Sequence, residues 1–332
     1  MIPDWVKSLN DGVDTAIPRN VYHLDEPVII APKSDPIITG NRSILVTHDE
    51  GMDAMVASGA VRVRDLRFMT TAERGGAAFR CQPSYQISGL RLHDVEVIHD
   101  DAGGKDSGAF EVGIALDNCW NSTLDVAIQG YPWDYTDAAL LNPRMAVALD
   151  LGNCQEPRVR YQIGGAGIGI KSVSRAQGDA EGVVLEGRWT QSCRRCIHLE
   201  GGVYGGFPTP HSSVGSGGHG FYTQEFLFAL SRHGLVVDGA NCCSSHLDTT
   251  GTTAMWLVNC PHAKVVNNTI WRTLAGPPES WPPALGIIFD QTNGAVISGN
   301  TITDLIDLGI YQTGSCKNIV LGPNLNRAKR PT

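Results

Sequence analysis

Carboxylates recur in this chain at one place in a short pattern, Gly-apolar-x-apolar-Asp. GIALD ends on Asp117, AVALD on Asp150, VVLE on Glu186, LVVD on Asp238 and GIIFD on Asp290, with Arg80, Asn259 of WLVN and Thr313 of GIYQT in the equivalent place. If these stretches stack as paired strands about 4.8 Å apart, neighbouring carboxylates stand close together. Both cannot ionise without cost, so one is driven toward its protonated form or a cation sits between them. Carboxyls about 5–5.5 Å apart suit retaining glycoside hydrolysis and about 6.5–9.5 Å suits inversion, so one or two steps along the column supply either geometry. Asp150, Glu186 and Asp238 are the candidate catalytic acids on this reading. A simpler role competes with catalysis. Asp at a strand end accepts hydrogen bonds from the following turn, and a repeated turn repeats its Asp. Asn259 serves that capping role as well as an acid does.

Binding chemistry points elsewhere, to segments around 130–145, 171–182, 202–231 and 272–285 that lengthen four of the repeats. They hold Tyr131, Trp133, Tyr135, Tyr204, Phe207, Phe221, Tyr222 and Trp281, flat side chains that stack on sugar rings or pin a loop to its scaffold. Asp134, Asp137, Glu225 and Glu279 supply polar contacts in the same segments, and His211 and His219 lie in the Gly/Ser-rich run HSSVGSGGHG. Arg194 and Arg195, with Lys171 and Arg175 of a neighbouring repeat, make a basic spot suited to an acidic sugar. No G-x-S-x-G elbow, phosphate loop or H-E-x-x-H occurs, and no metal-ligand pattern is assigned.

The elements that must position these groups follow from the same repeat. Alternation puts Ile114 and Leu116, Val147 and Leu149, Val183 and Leu185, Leu235 and Val237, and Ile287 and Phe289 on one inward face. A turn and a second apolar stretch follow each strand, as in STLDVAI, PRVRYQI, AKVVNNTI, GAVISGNTI and KNIVLGPNL. The shortest units, Asp238 to Asn259 and Asp290 to Thr313, span 21 and 23 residues. That is too short for a strand-helix-strand crossover but fits one turn of a solenoid, whose inner face is buried only when neighbours stack on it. Cys119, Cys154, Cys193, Cys242, Cys260 and Cys316 fall just after the acid, where small buried thiols can stack without disulfides.

Composition agrees with an all-β solenoid: among 332 residues, 18% are charged and 38 are glycine. A net charge of −8 argues against a general nucleic-acid binder. No run of about eighteen apolar residues could span a membrane, and the start, MIPDWVKSLN, lacks the profile of a secretion signal. DWVKSLN predicts one or two turns of amphipathic helix, leading into strands that alternate with Pro, Asn and Gly turns.

This start, a short helix and then Y-x-L…P-V-I-I…I-T-G-N, resembles that of pectin-lyase-like β-helices, and the ending SGNTITDLIDLGIYQTGSCKNIVLGPNLN is similar to their coils. The implied fold is all-β, a single-stranded right-handed parallel β-helix with an N-terminal cap and long loops on one flank: 1–60 cap and entry strands, 61–325 helix, 326–332 tail. In character the chain most resembles phage tailspikes. That resemblance implies a polysaccharide-binding, receptor-binding spike or fibre of a phage or phage-like particle. Its partners would be bacterial capsule or O-antigen and other particle spike proteins, with assembly as a homotrimer and neither nucleic acid nor membrane as a target. It would be made in the cytoplasm and reach the outside by lysis. The alternative is a polysaccharide depolymerase, a hydrolase or a pectate-lyase-like lyase. No cofactor is expected for the binding protein or the hydrolase, whereas a lyase would use Ca2+.

Overall fold

The structure, a computed structural model, describes residues 4–30, 35–99, 108–130, 143–175, 180, 182–193, 195–201, 203–204, 207–208, 213–214, 218–220, 224–229, 235–244, 252–272, 284–303 and 308–326. Two compact units divide it, Met1–Gly167 (unit 1) and Ile168–Thr332 (unit 2).

In unit 1 each coil contributes a front strand, which precedes the turn noted above, and a back strand, which follows it. Front strands Val28–Ile30, Met55–Ala57, Gly75–Cys81, Phe110–Asp117 and Val147–Gly152 pair in that order, all parallel. Back strands Ile37–Thr47, Arg62–Thr70, Arg91–Val97, Thr123–Gln129 and Arg158–Gly164 do the same. Stacking like strand on like strand satisfies the backbone N–H and C=O groups coil by coil. Between the two sheets lie Leu45, Phe68, Phe79, Ile114, Leu116, Ile128 and Leu149, all fully or nearly fully buried. The predicted helix is Asp4–Asn10, which buries Trp5, Val6 and Leu9, with Trp5 edge-on to Tyr22.

Unit 2 has front strands Ile168–Val173, Arg195–Glu200, Gln224–Ala229, Thr252–Val258, Ala284–Asp290 and Leu308–Thr313, again parallel and in order. Its later back strands are broken in two by a bend: Val236–Asp238 and Asn241–Ser244, Lys264–Val266 and Thr269–Arg272, Val296–Ser298 and Thr301–Ile302. Gly239, Asn267 and Gly299 take positive φ at the bend. The next position of successive coils holds Asn268, Asn300 and Asn324, whose side chains form a ladder. Asn268 Nδ2 donates to Asn300 Oδ1 at 2.9 Å and Asn300 Nδ2 to Asn324 Oδ1 at 2.9 Å, while the same oxygens accept the Asn268 and Asn300 backbone N–H groups at 3.0 Å. Asn268 and Asn300 are fully buried, so these bonds satisfy polar groups that water cannot reach.

Consecutive parallel strands of one sheet joined by crossovers turn right-handed. The chain therefore has the right-handed parallel β-helix fold that its repeats imply.

The structure moves two parts of the expected repeat. VVLE and LVVD lie in back strands, so Glu186 and Asp238 are not in the column of Asp150. Within the front sheet of unit 1, Ala115 pairs with both Arg80 and Asp150, while Asp117 pairs with Gly152. Arg80 and Asp150 thus share a column and Asp117 stands two residues further on. In unit 2, Asp290 and Thr313 pair as expected, but Val258 rather than Asn259 is their neighbour.

After five of the front strands the chain turns at a residue of positive φ, Asn118, Asn153, Asn259, Gln291 or Gly314. A buried sulfur or hydroxyl follows. Cys119 donates to the Asp117 carbonyl at 3.2 Å, Cys260 to that of Val258 at 3.4 Å, and Thr292 to that of Asp290 at 3.1 Å. The thiol stack is therefore real in unit 1, where Cys81, Cys119 and Cys154 are buried and reduced, and hydrogen bonding to Cys154 and Cys81, with burial, pushes the Cys119 thiol far up. Cys193 and Cys242 lie in back strands and leave the stack.

Candidate functional site

In unit 2, Met255 and Leu257, Ile287 and Phe289 are fully buried, so the residues between them point outward. Pairing lines those residues up: Lys171, His198, Leu227, Trp256, Ile288 and Tyr311 occupy one outward row, one residue per coil. Tyr311 is 46% exposed, Trp256 is partly exposed, and Ile288 between them is 5% exposed. Two aromatic side chains thus stand two coils apart, about 9.6 Å by strand spacing, across an aliphatic floor.

The other end of the row is cationic. Arg195 donates to His198 Nδ1 at 3.4 Å, and His198 Nε2 faces Glu200 Oε2 at 3.2 Å. An acceptor role for Nδ1 assigns the proton to Nε2. Burial, with the charges of Arg195 and Lys171, holds His198 below the ordinary imidazole range against the pull of Glu200. Of the basic spot expected from Arg194, Arg195, Lys171 and Arg175, the structure places Lys171 and Arg195 beside His198, while Arg194 lies outside the described residues. The neighbouring column carries Glu200, Ala229, Val258, Asp290 and Thr313. Glu200 and Asp290 stand three steps apart, about 14 Å, beyond the spacing of either glycosidase mechanism.

A second polar group sits on the front sheet of unit 1. Arg80 donates through Nε to Asp53 Oδ2 at 2.6 Å and through a terminal nitrogen to Oδ1 at 3.0 Å, and Asp53 also accepts the Ala77 N–H. Asp53 first, and then Asp150 and Glu111, keep Arg80 firmly charged against partial burial. Asp117 and Asp150 are diagonal neighbours, one coil and two residues apart, so their Cα atoms are about 8 Å apart.

Of the expected residues, Glu186 and Asp238 are exposed on back strands of unit 2, where Asp238 accepts from Asn267 Nδ2 at 3.1 Å. Asp150 belongs to unit 1. The three carboxylates are not one row. Tyr131, Trp133, Asp134, Tyr135, Tyr222 and Trp281 lie outside the described residues, as do Asp137, His211, Phe221, Glu279 and Arg194. Tyr204 and Phe207 are opposite each other in a short antiparallel pair, His219 pairs with Cys243, and Glu225 follows Gln224 into a front strand. His198, Trp256, Tyr311 and Asp53 were not singled out by sequence. Their signal was present for the row, since Trp256 opens WLVN next to inward Leu257 and Tyr311 follows Ile310, the partner of inward Ile287, in GIYQT.

Among the described residues, one place gathers three metal-capable side chains: His93, Asp94 and Asp125. One imidazole and two exposed or half-exposed carboxylates offer too few oxygens for calcium, which takes six to eight. No described helix is long and apolar enough to cross a membrane.

No family model and no curated protein matches the chain. Among solved structures it is similar to a DFA-IIIase from Arthrobacter chlorophenolicus A6 in complex with GF2, at 11% identity and TM-score 0.34, over 84% of this chain and 75% of that one. It is also similar to tailspike protein 3 of bacteriophage CBA120, at 10% identity and TM-score 0.33, over 95% of this chain and 58% of that one.

Proposed function

We propose that the chain is a polysaccharide-binding spike or fibre protein of a phage or phage-like particle, recognising bacterial capsule or O-antigen. The observation that carries this reading is the outward row of unit 2, from Lys171 and His198 through Trp256 and Ile288 to Tyr311. Aromatic faces pack on the apolar faces of sugar rings, and a row fixed on a paired sheet loses little freedom on binding. The cations at one end suit a carboxylated sugar. Homotrimeric assembly beside other particle proteins, and release by lysis to the particle surface, complete the reading. Purified protein is expected to bind isolated capsule or O-antigen in a panel of bacterial glycans. Absence of binding to every member would sink it.

One observation favours depolymerase activity as a second reading: Asp117 and Asp150 are diagonal neighbours on the outward side of one sheet, and glycoside hydrolysis works with a pair of carboxyl groups. Arg80 beside them is a poor lyase base, because a general base must give up its proton near the working pH and Arg80 is held charged. Hydrolysis would shorten the bound polymer without new unsaturated ends, and Asp150→Asn would stop it. An unchanged polymer means adhesion alone.

A further inference from the structure

Outward positions of the back sheet in unit 1 are arginine-rich. Arg62, Arg91, Thr123 and Arg158 pair in one file, and Arg64 pairs with His93 and Asp125 with Arg160 in the next. Val63, Leu92, Leu124, Val159 and Tyr161 between them are buried, which fixes the arginines outward. Some are neutralised: Arg62 by Asp35 at 2.5 Å, Arg67 by Glu96 at 2.7 Å and Arg42 by Asp65 at 3.8 Å. Arg91, Arg158 and Arg160 have no ion-pair partner among the described residues, and Arg64 donates only to Thr39 Oγ1. Unneutralised arginines gathered on one face are unexpected in a chain of net charge −8.

The geometry points to a binding site for a linear polyanion, an acidic polysaccharide lying along the direction in which the coils stack. Arg91 and Arg158 stand two coils apart, about 9.6 Å, with the short exposed Thr123 between them, so their side chains can close on an anion over its hydroxyl. A guanidinium fork matches a carboxylate or sulfate in two parallel hydrogen bonds. Cations spaced by coils suit a polymer with one charge per sugar or per two sugars. Duplex nucleic acid carries a charge about every 1.7 Å, far denser than cations spaced by coils. A folded protein partner needs an apolar centre to its interface, and the outward positions here are Arg, His, Thr, Asp, Glu and Gln with the one small Ala127. The site is separate from the aromatic row of unit 2, and neither depends on the other.

The test titrates the full chain at low salt with polygalacturonate, heparin, dextran and a short duplex oligonucleotide. Both acidic polysaccharides are expected to bind, more weakly as salt rises, and dextran is not expected to bind at this face. Arg91→Ala with Arg158→Ala is expected to weaken acidic-polymer binding by about tenfold or more. The paired Lys replacements should fall between, and Lys264→Ala, an exposed charge in unit 2, should change binding less than about twofold. An unchanged melting temperature in each variant shows that the fold is kept. The proposal is overturned if neither acidic polysaccharide binds, if the double Ala variant binds as the wild type does, or if the oligonucleotide binds more tightly than both. Trp256→Ala reports on the other row, so the two readings can fail independently.

Discussion

The back strands of the two units bend at similar places with different chemistry. In unit 1 the bend uses Asn41, Arg42, Asp65 and Asp94 at positive φ, all with side chains at or near the surface. In unit 2 it uses Gly239, Asn267 and Gly299, and then turns Asn268 and Asn300 into the dry interior, where each serves as both donor and acceptor. A bend solvated by water gains and loses little when a side chain changes. A bend satisfied inside the core is costly to break, because the partner left behind stays buried. Unit 1 carries its polar chemistry on the outside, in the arginine files, while unit 2 pairs an inner polar ladder with an outer aromatic row.

The largest contrast comes from cutting both bends. Asn300→Ala strands the Asn268 amide and the Val265 carbonyl and should cost about 2–4 kcal/mol, read as a lower denaturation midpoint. Asp65→Gly relieves positive φ at an exposed position and should move stability by less than about 1 kcal/mol. Equal losses would dissolve the distinction. Gly40 gives the exception within unit 1: a Cβ there would overlap the Asp65 carbonyl oxygen and lie 2.7 Å from Leu66 Cβ. Gly40→Ala should therefore cost roughly 1–3 kcal/mol, which places the weight of this bend on backbone approach.

The turn after the front strand offers a smaller contrast. Unit 1 fills it with Cys119, whereas unit 2 alternates Cys260 with Thr292, whose hydroxyl also reaches a carbonyl. Cys119→Ser should then cost less than about 1.5 kcal/mol in thermal melts, since a hydroxyl can replace the thiol as donor.

Smallest is a pH effect that separates Arg80, held charged, from His198, held neutral. With its folded pKa lowered, His198 binds its proton more readily in the unfolded chain. Its contribution is full above the ordinary imidazole range, near pH 6.5, and is lost as pH falls toward the lowered value. Stability of His198→Gln should fall less than that of the wild type across this acid window, and parallel curves would refute the assignment.

Alternation of apolar residues revealed the coils because both sheets line one core with the same period of two. That same shared period hid which sheet a stretch belongs to, so LVVD and VVLE read as front strands. Register was lost where the two acids were set level: the strands pair in unbroken register from Val112 with Val147 to Asp117 with Gly152, which leaves Asp150 two residues short of Asp117. The asparagine ladder was written as NNTI, GNTI and PNL, yet an isolated Asn reads as a surface turn until its neighbours stack on it. The aromatic row lay in the repeat itself, beside the inward residues that make the repeat visible and two residues before the column that ends it.

The most direct measurement is calorimetric titration of wild type and Trp256→Ala/Tyr311→Ala with a polysaccharide that the wild type binds. Loss of two stacking faces should weaken binding by at least about tenfold, with the melting temperature showing that the coils remain intact. Equal affinity in the folded variant would contradict the claim that this row holds the sugar.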